Sequence, residues 1–403
     1  MKNFQISLKN LSAFMQAPLQ LMTELEQGQK FVRTRLGPKS FVFVYDANCA
    51  REILVQASQK FPQNRMVFDR IQPLTGRKGL VQMEGEESKN TRIKMRTLFG
   101  KAPLADAQTI TEEYTNEFIA ELKKNPAVDI AQAMHNLILR TALKIFLDVD
   151  DPKMAHEIGH MFVELNELCG QRIRSLLPVP LFIPTTQTLR IKKLRHAIRS
   201  QILAHLQKRT KTLHEQLVDV FAEDPHLLDH CMTFIFAGHE TTASSLAFTF
   251  LLLAKYPEYQ KLIQQDKTMA ICVYKESLRL YPPAYMLARQ ANTDTQFGDF
   301  KIKKSDHVII ALASIQQSEK YFAQAKLFKP ERFAQKAEHG YAFFPFGAGA
   351  KSCIGERLAY VEADVVINKI CSQFSISGAA DKILADPMIT LNVRRGQTLV
   401  FHG

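Results

Sequence analysis

A chain of 403 residues, 46% hydrophobic and 23% charged, has the apolar mass for a large core and too much of it to stay disordered. The formal charge of +12 admits an acidic partner, nucleic acid or an anionic membrane. No Lys/Arg run of the nucleic-acid type occurs, though: Arg190 to Arg199 (RIKKLRHAIR) interleaves Leu and Ile at helical spacing and reads as a solvated helix face. Seventeen Gly and seventeen Pro are sparse breakers, which favours long helices over a many-stranded β architecture. Six scattered cysteines, without a CxxC pair, point to free thiols in a reducing compartment. The N-terminus has no apolar run of signal or anchor length. The longest apolar stretch, near Phe248 to Ala254, is far short of the roughly 20 residues that span a bilayer. A soluble, cytoplasmic protein is expected.

Along the chain, FVFVYD (residues 41–46) alternates like a strand and runs into a helix-like segment, Ala47 to Gln56. Glu86 to Phe99 has the pattern of a basic amphipathic helix. Residues 107–223 read as successive helices, interrupted at Leu176 to Pro184 (LLPVPLFIP), where three prolines and no charge make a sticky loop. The strongest helix is placed from Pro225 to about Lys255, with Asp224 as N-cap and Pro225 in its first turn. It is apolar on most sides and should be buried, yet its middle carries Gly238-His239-Glu240-Thr241-Thr242. Burying that polar patch costs several kcal/mol unless it binds something. A further helix, about Thr268 to Leu280, stops at Tyr281-Pro282-Pro283. Short β pieces follow over residues 300–314, then an irregular stretch to Phe343, then a last helix from Glu356 to about Gln373. The fold class expected is mainly α with a small β portion, in one domain over residues 1–403.

The segment FFPFGAGAKSCIG, residues 343–355, gives way from aromatics to small residues and then to Cys353 just before a helix. Small residues let backbone approach a flat ligand closely. A cysteine at a helix N-terminus sits where backbone N–H groups stabilise a thiolate, the form that a metal binds. A phosphate loop is the wrong reading of GAGAKS, because that motif needs Gly immediately before Lys and Ala350 stands there. A catalytic thiol would want a partnered His, and none is evident in the sequence.

Phe346-x-x-Gly349-x-Lys351-x-Cys353-x-Gly355 resembles the haem-binding loop of the cytochromes P450, whose Cys thiolate is the axial iron ligand. Lys351 departs from the Arg or His usual there, and as a point charge can still neutralise a propionate. Three further motifs follow the family's order. Glu276-Ser277-Leu278-Arg279 is an ExxR, which with Arg332 of Pro330-Glu331-Arg332-Phe333 implies a buried network behind the haem loop. Ala237-Gly238-His239-Glu240-Thr241-Thr242 is similar to the oxygen-activation segment, implying Glu240 and Thr241 as proton-delivery residues and His239 as structural. Read as the start of a zinc-protease HExxH, the same stretch fails, since its fifth position is Ala243. Arg92, one turn from Arg96, and Arg289 match propionate-binding arginines; Ser88 stands where the family often has Trp or His. The likeness extends from about Gly85 to the C-terminus. One departure is a short connection, ten residues from Pro257 to Asp266, between the central and ExxR helices.

The resemblance implies haem b held by Cys353, Phe346, Gly349, Lys351, Arg92 and Arg289, with Cys353 on the metal. The implied enzyme inserts one atom of dioxygen into a lipophilic organic substrate, such as a fatty acid, terpenoid or steroid. With no flavin or iron–sulfur signature in the chain, electrons come from a separate ferredoxin, flavodoxin or reductase. Lys89, Lys94 and Lys351 are expected on the face that meets it. Two rivals stand beside this reading: a peroxide-driven haem-thiolate enzyme, which would not need Glu240 and Thr241, and a non-catalytic haem sensor.

Overall fold

The protein is described by a computed structural model covering residues 2–175, 178–206, 219–220, 224–335, 340–378 and 382–403. Of the predicted loop Leu176–Pro184, the first two residues lie outside that set. Residues 178–184 are non-helical and connect the helices Pro152–Arg174 and Thr186–Leu206.

The axis of the fold is the central helix, Leu227–Lys255, 29 residues long and so about 43 Å from end to end. Its run Ser244–Leu253 is buried without interruption, so it is enclosed rather than laid on a surface. It begins two residues later than the sequence predicts. Asp224 Oδ1 does accept from a backbone N–H, but from that of His226 at 2.7 Å, so it caps a turn that precedes the helix and contains Pro225. Pro257 marks the other end, just past the C-cap Tyr256.

Against the central helix pack Ile130–Leu147, whose apolar side is buried from Met134 to Leu147, the ExxR helix Met269–Leu280 and the last helix Glu356–Cys371. The short connection seen in the sequence holds an eight-residue helix, Glu258–Gln265. Gln260 of that helix is buried, donating to Leu253 O and Ile376 O, and so ties the connection to the C-terminal strands.

The β portion lies to one side. Strands β1 (Phe31–Leu36), β2 (Lys39–Val44), β3 (Leu287–Gln290) and β4 (His307–Ile310) form a sheet in the order β1-β2-β4-β3. The β2–β4 pair is parallel, with Val42 opposite Val308, and the other two pairs are antiparallel. The β segment expected to run to residue 314 ends at Ile310, and Leu312–Gln316 is a helical turn. Residues 307–313 are all buried, so their apolar run reads alike for a strand and a buried helix. The helical turn matters, since it aims Gln316 at the ExxR helix. Ala47–Gln56 is helical as expected, but its second half, Glu52–Gln56, is wound as a π-turn, closed by Ala57 N–H donating to Glu52 O at 2.7 Å.

Candidate active site

A cavity separates the middle of the central helix from the cysteine loop. Ala237, Gly238, Thr241, Thr242 and Ser245 form one wall, and Phe346, Gly347, Ala348, Cys353 and Gly355 form the other. Phe99, Phe146, Phe234 and Leu287 make much of the rest apolar. Cys353 is exposed, and what it faces is this cavity.

The loop is held by its own backbone and by three outside anchors. Cys353 N–H donates to Phe346 O at 2.8 Å, closing a turn in which Gly347 and Gly349 adopt φ +72° and +71°. At Gly349 a side chain is excluded twice over: the backbone is left-handed, and an added Cβ would collide with the Leu54 carbonyl of the π-turn. Gly349 therefore seats the loop on that turn and does not line the cavity. Arg92 is likewise behind the wall. Its Nη1 donates to Ser352 O at 2.7 Å, while its Nε is buried and unpartnered. Arg96 faces solvent.

The third anchor is the ExxR network. Glu276 and Arg279 are fully buried and form a two-pronged pair, with both N···O distances 2.8 Å. Arg332 Nε and the Lys329 N–H also reach Glu276 Oε1, at 3.3 and 2.9 Å. Arg279 spends its remaining hydrogens on Gln316 O, Ala325 O and Leu327 O. The Gln316 side chain passes the connection on, accepting from Phe344 N–H at the start of the cysteine loop. Glu276, Arg279 and Arg332 thus form the network that the resemblance implies, and it connects to the cysteine loop through Gln316.

Lys351 lines the cavity, but its ammonium is engaged. It donates to Met83 O and to Ser88 Oγ (3.0 Å) and pairs with Glu84 at 3.4 Å. Its expected place on a partner-facing surface is therefore corrected: the side chain is turned inward, and Ser88 is one of its acceptors. Lys89 and Lys94 are exposed. Arg289, on β3, is buried at the cavity edge with no carboxylate at ion-pair distance among the described residues. Burial pushes its guanidinium down to about 10, with the charge of Glu84 opposing. A buried cation of this kind is built to receive an anion.

Facing an enclosed, largely apolar cavity and not bulk water, the Cys353 thiol is pushed up by desolvation, against the opposing hydrogen bond at Gly355 and the charge of Arg92. The helix N-terminus therefore does not by itself outweigh desolvation, and a cation on sulfur is what would hold the thiolate. With small residues on the cysteine wall, a thiol facing across the gap and a buried cation awaiting an anion at its rim, the residues present fit an iron porphyrin.

On the central helix, Thr241 and Glu240 part company. Thr241 lines the cavity, its hydroxyl donating back to Ala237 O at 2.8 Å, as helical threonines commonly do. Glu240 is buried on the other side of the helix, in contact with Asn166, Thr390 and Asn392. The one carboxyl that lines the cavity, among the described residues, is Glu362 on the last helix, which hydrogen-bonds Thr242. Sequence reading missed it. The available signal was its place on the last helix, where Leu358, Ala359, Val365 and Val366 stand three and four positions away on the same buried side, so that an acid there has no solvent to face.

Burial pushes the Glu362 carboxyl up to about 8, the Thr242 hydrogen bond pulling slightly the other way. The folded chain then keeps a proton that the unfolded chain releases near 4.5, so stability falls as pH rises between those values. The expected slope is about 1.4 kcal/mol per pH unit in that window. Glu362→Gln should flatten it, and melting curves of the two proteins from pH 5 to 8 that stay parallel would refute the assignment.

A family model described as "Cytochrome P450" matches residues 4–399. Among curated proteins, the chain is 25% identical to a cyclooctat-9-en-7-ol 5-monooxygenase of Streptomyces melanosporofaciens, over 92% of this chain and 87% of that one. It is 27% identical to a cytokinin hydroxylase of Arabidopsis thaliana, over 79% and 70% of the two chains. Among solved structures it resembles a six-coordinated cytochrome P450 from Thermus thermophilus, with TM-score 0.81 and 23% identity over 96% of this chain and 98% of that one. A second structure, from another strain of the same bacterium, matches with TM-score 0.83 and 22% identity over 98% and 97%.

Proposed function

The chain belongs to the cytochrome P450 family, and from that premise we propose that this haem-thiolate monooxygenase oxidises a lipophilic organic substrate with electrons from a separate donor. The observation that carries the substrate class is the cavity wall: apart from Arg289, Lys351 and Glu362 it is apolar or carries only hydroxyl and thiol groups. Such a wall gains free energy from burying hydrocarbon and offers few polar anchors. Haem, when bound, supplies dioxygen activation, with thiolate electron density favouring O–O cleavage.

The chain's own residues do the rest. Cys353 would hold the iron from the loop, and the ExxR network keeps that loop from yielding. Arg289 would take a propionate. Arg92 sits one layer back, fixing Ser352, and Lys351 keeps one wall of the cavity positively charged. Phe99, Phe146 and Phe234 keep water from the reacting side. Thr241 places its hydroxyl in the cavity. Glu240 is the proton source of this reading, its carboxylate turning off its rear partners to serve that hydroxyl. The whole is one catalytic domain over residues 1–403. Its six cysteines, free of disulfides, support a cytoplasmic setting. No described helix is long and apolar enough to cross a membrane.

Electron supply is assigned to a ferredoxin, flavodoxin or reductase that meets the exposed Lys89 and Lys94, beside the helix through which Arg92 grips the cysteine loop. One assay tests the oxygen and the electron side together. With an acidic ferredoxin and its reductase, Thr241→Ala should consume reduced nicotinamide at a similar rate, release hydrogen peroxide and form at least about tenfold less product. Lys89→Glu with Lys94→Glu should slow reduction at low salt only. Coupled turnover in Thr241→Ala would remove that residue from the proton path, and reduction unaffected by both reversals would move the docking face elsewhere.

A further inference from the structure

The rear of the central helix carries a cluster of which the proposed reaction uses only Glu240, leaving His135 and His239 without a role. Glu240 Oε1 is saturated, accepting from Asn166 Nδ2 at 3.0 Å, Thr390 Oγ1 at 3.1 Å and Asn392 Nδ2 at 2.9 Å. Its other oxygen, Oε2, faces His135 Nδ1 and His239 Nε2, each at 3.8 Å, too far for a hydrogen bond. His239 Nδ1 lies 2.8 Å from Ile235 O. A carbonyl only accepts, so Nδ1 carries the hydrogen and the neutral ring presents a bare lone pair at Nε2. Burial favours that neutral ring, against the pull of Glu240. His239 Nε2 and His135 Nδ1 are both buried and without a partner, and the His239 side chain is only 3% exposed.

A carboxylate oxygen and two imidazole nitrogens thus converge on one point. We propose that His135, His239 and Glu240 form a binding site for a zinc-type divalent cation. The donor atoms lie within 4.8 Å of one another, and two donors on one tetrahedral zinc ion stand roughly 3.4 Å apart, so small rotations close the site. The least buried member, His135, 20% exposed, supplies both the give and the access. Two nitrogens and one oxygen suit zinc or a neighbouring transition metal; magnesium and calcium prefer all-oxygen sets. The outer contacts are those that metal ligands need: the Nδ1–H of His239 is held by a carbonyl, and the spare carboxylate oxygen by three neutral donors. The site does not depend on Glu240 being the proton source.

Zinc binding by the chelator-stripped holoenzyme tests this, read by competition with a chromophoric chelator. The background should carry His156→Ala and His160→Ala, because that exposed pair, with ring centroids 4.3 Å apart, can take up zinc on its own. One equivalent should bind with a micromolar or tighter constant, and His135→Ala or Glu240→Gln should weaken it about 100-fold or more. The carbon monoxide difference spectrum verifies that each variant is folded. His135→Ala is decisive should the buried His239→Gln fail to fold. No binding below millimolar zinc, or binding indifferent to His135→Ala, overturns the proposal and leaves the cluster as a shared-proton site.

Discussion

Cys353→Ala is expected to abolish the strongly red-shifted Soret band of the reduced, carbon monoxide-bound protein and to bring monooxygenase turnover down to the assay background. The other five cysteines cannot substitute. None of them lines the cavity, and Cys169, Cys231, Cys272 and Cys371 are buried elsewhere. The loss should be one of ligation and not of folding. The loop's shape comes from its backbone, since the Cys353 N–H to Phe346 O bond survives the substitution, as do the left-handed glycines and the seat on Leu54. Far-ultraviolet circular dichroism should therefore be unchanged, with haem retained weakly or lost on dialysis. A red-shifted band that persists in Cys353→Ala would show that another residue holds the iron and would overturn the site assignment.

How much of this was readable beforehand depends on what kind of fact each residue states. Cys353, Gly349 and the ExxR pair are local patterns whose spacing could be read directly: Cys353 faces the cavity and Glu276 pairs with Arg279 one turn on. Gly349 shows the limit even so. Its spacing marked it as part of a haem loop, but its duty is to a π-turn some 300 positions away in the chain, and no spacing reports that. Glu240 shows the limit more sharply. Neighbours in sequence on a helix point about 100° apart, so adjacency to Thr241 could not place both side chains in one cavity. The partners that claim Glu240 come from three other elements, at positions 135, 166 and 390–392. The partner-facing half of the Lys351 reading fails for a related reason: a lysine beside the cysteine looks like surface charge until Met83, Ser88 and Glu84 close over it. The turn at Leu312–Gln316 was ambiguous in principle, because full burial erases the periodicity that separates strand from helix.

Removing the Arg279 guanidinium should cost more stability than any surface charge. Its pair with Glu276 has no solvent access on either side, and Arg279→Ala would leave a buried carboxylate with only Arg332 and a backbone N–H to answer it. Breaking a buried pair on one side costs about 3–5 kcal/mol. Three carbonyls, of Gln316, Ala325 and Leu327, lose their donor as well. Because Gln316 also holds Phe344, the first consequence should be a loosened cysteine loop: haem lost from purified Arg279→Ala at temperatures where the wild type keeps it. Arg279→Lys should rescue little, since one ammonium cannot reproduce a two-pronged contact and three further bonds in fixed directions. The Arg190–Glu164 pair is the internal comparison, also two-pronged but on the surface. Water and salt screen it, and Arg190→Ala should leave the melting temperature unchanged. Equal behaviour of Arg279→Lys and wild type in thermal melts and haem retention would mean that charge alone, without the fork, braces the loop.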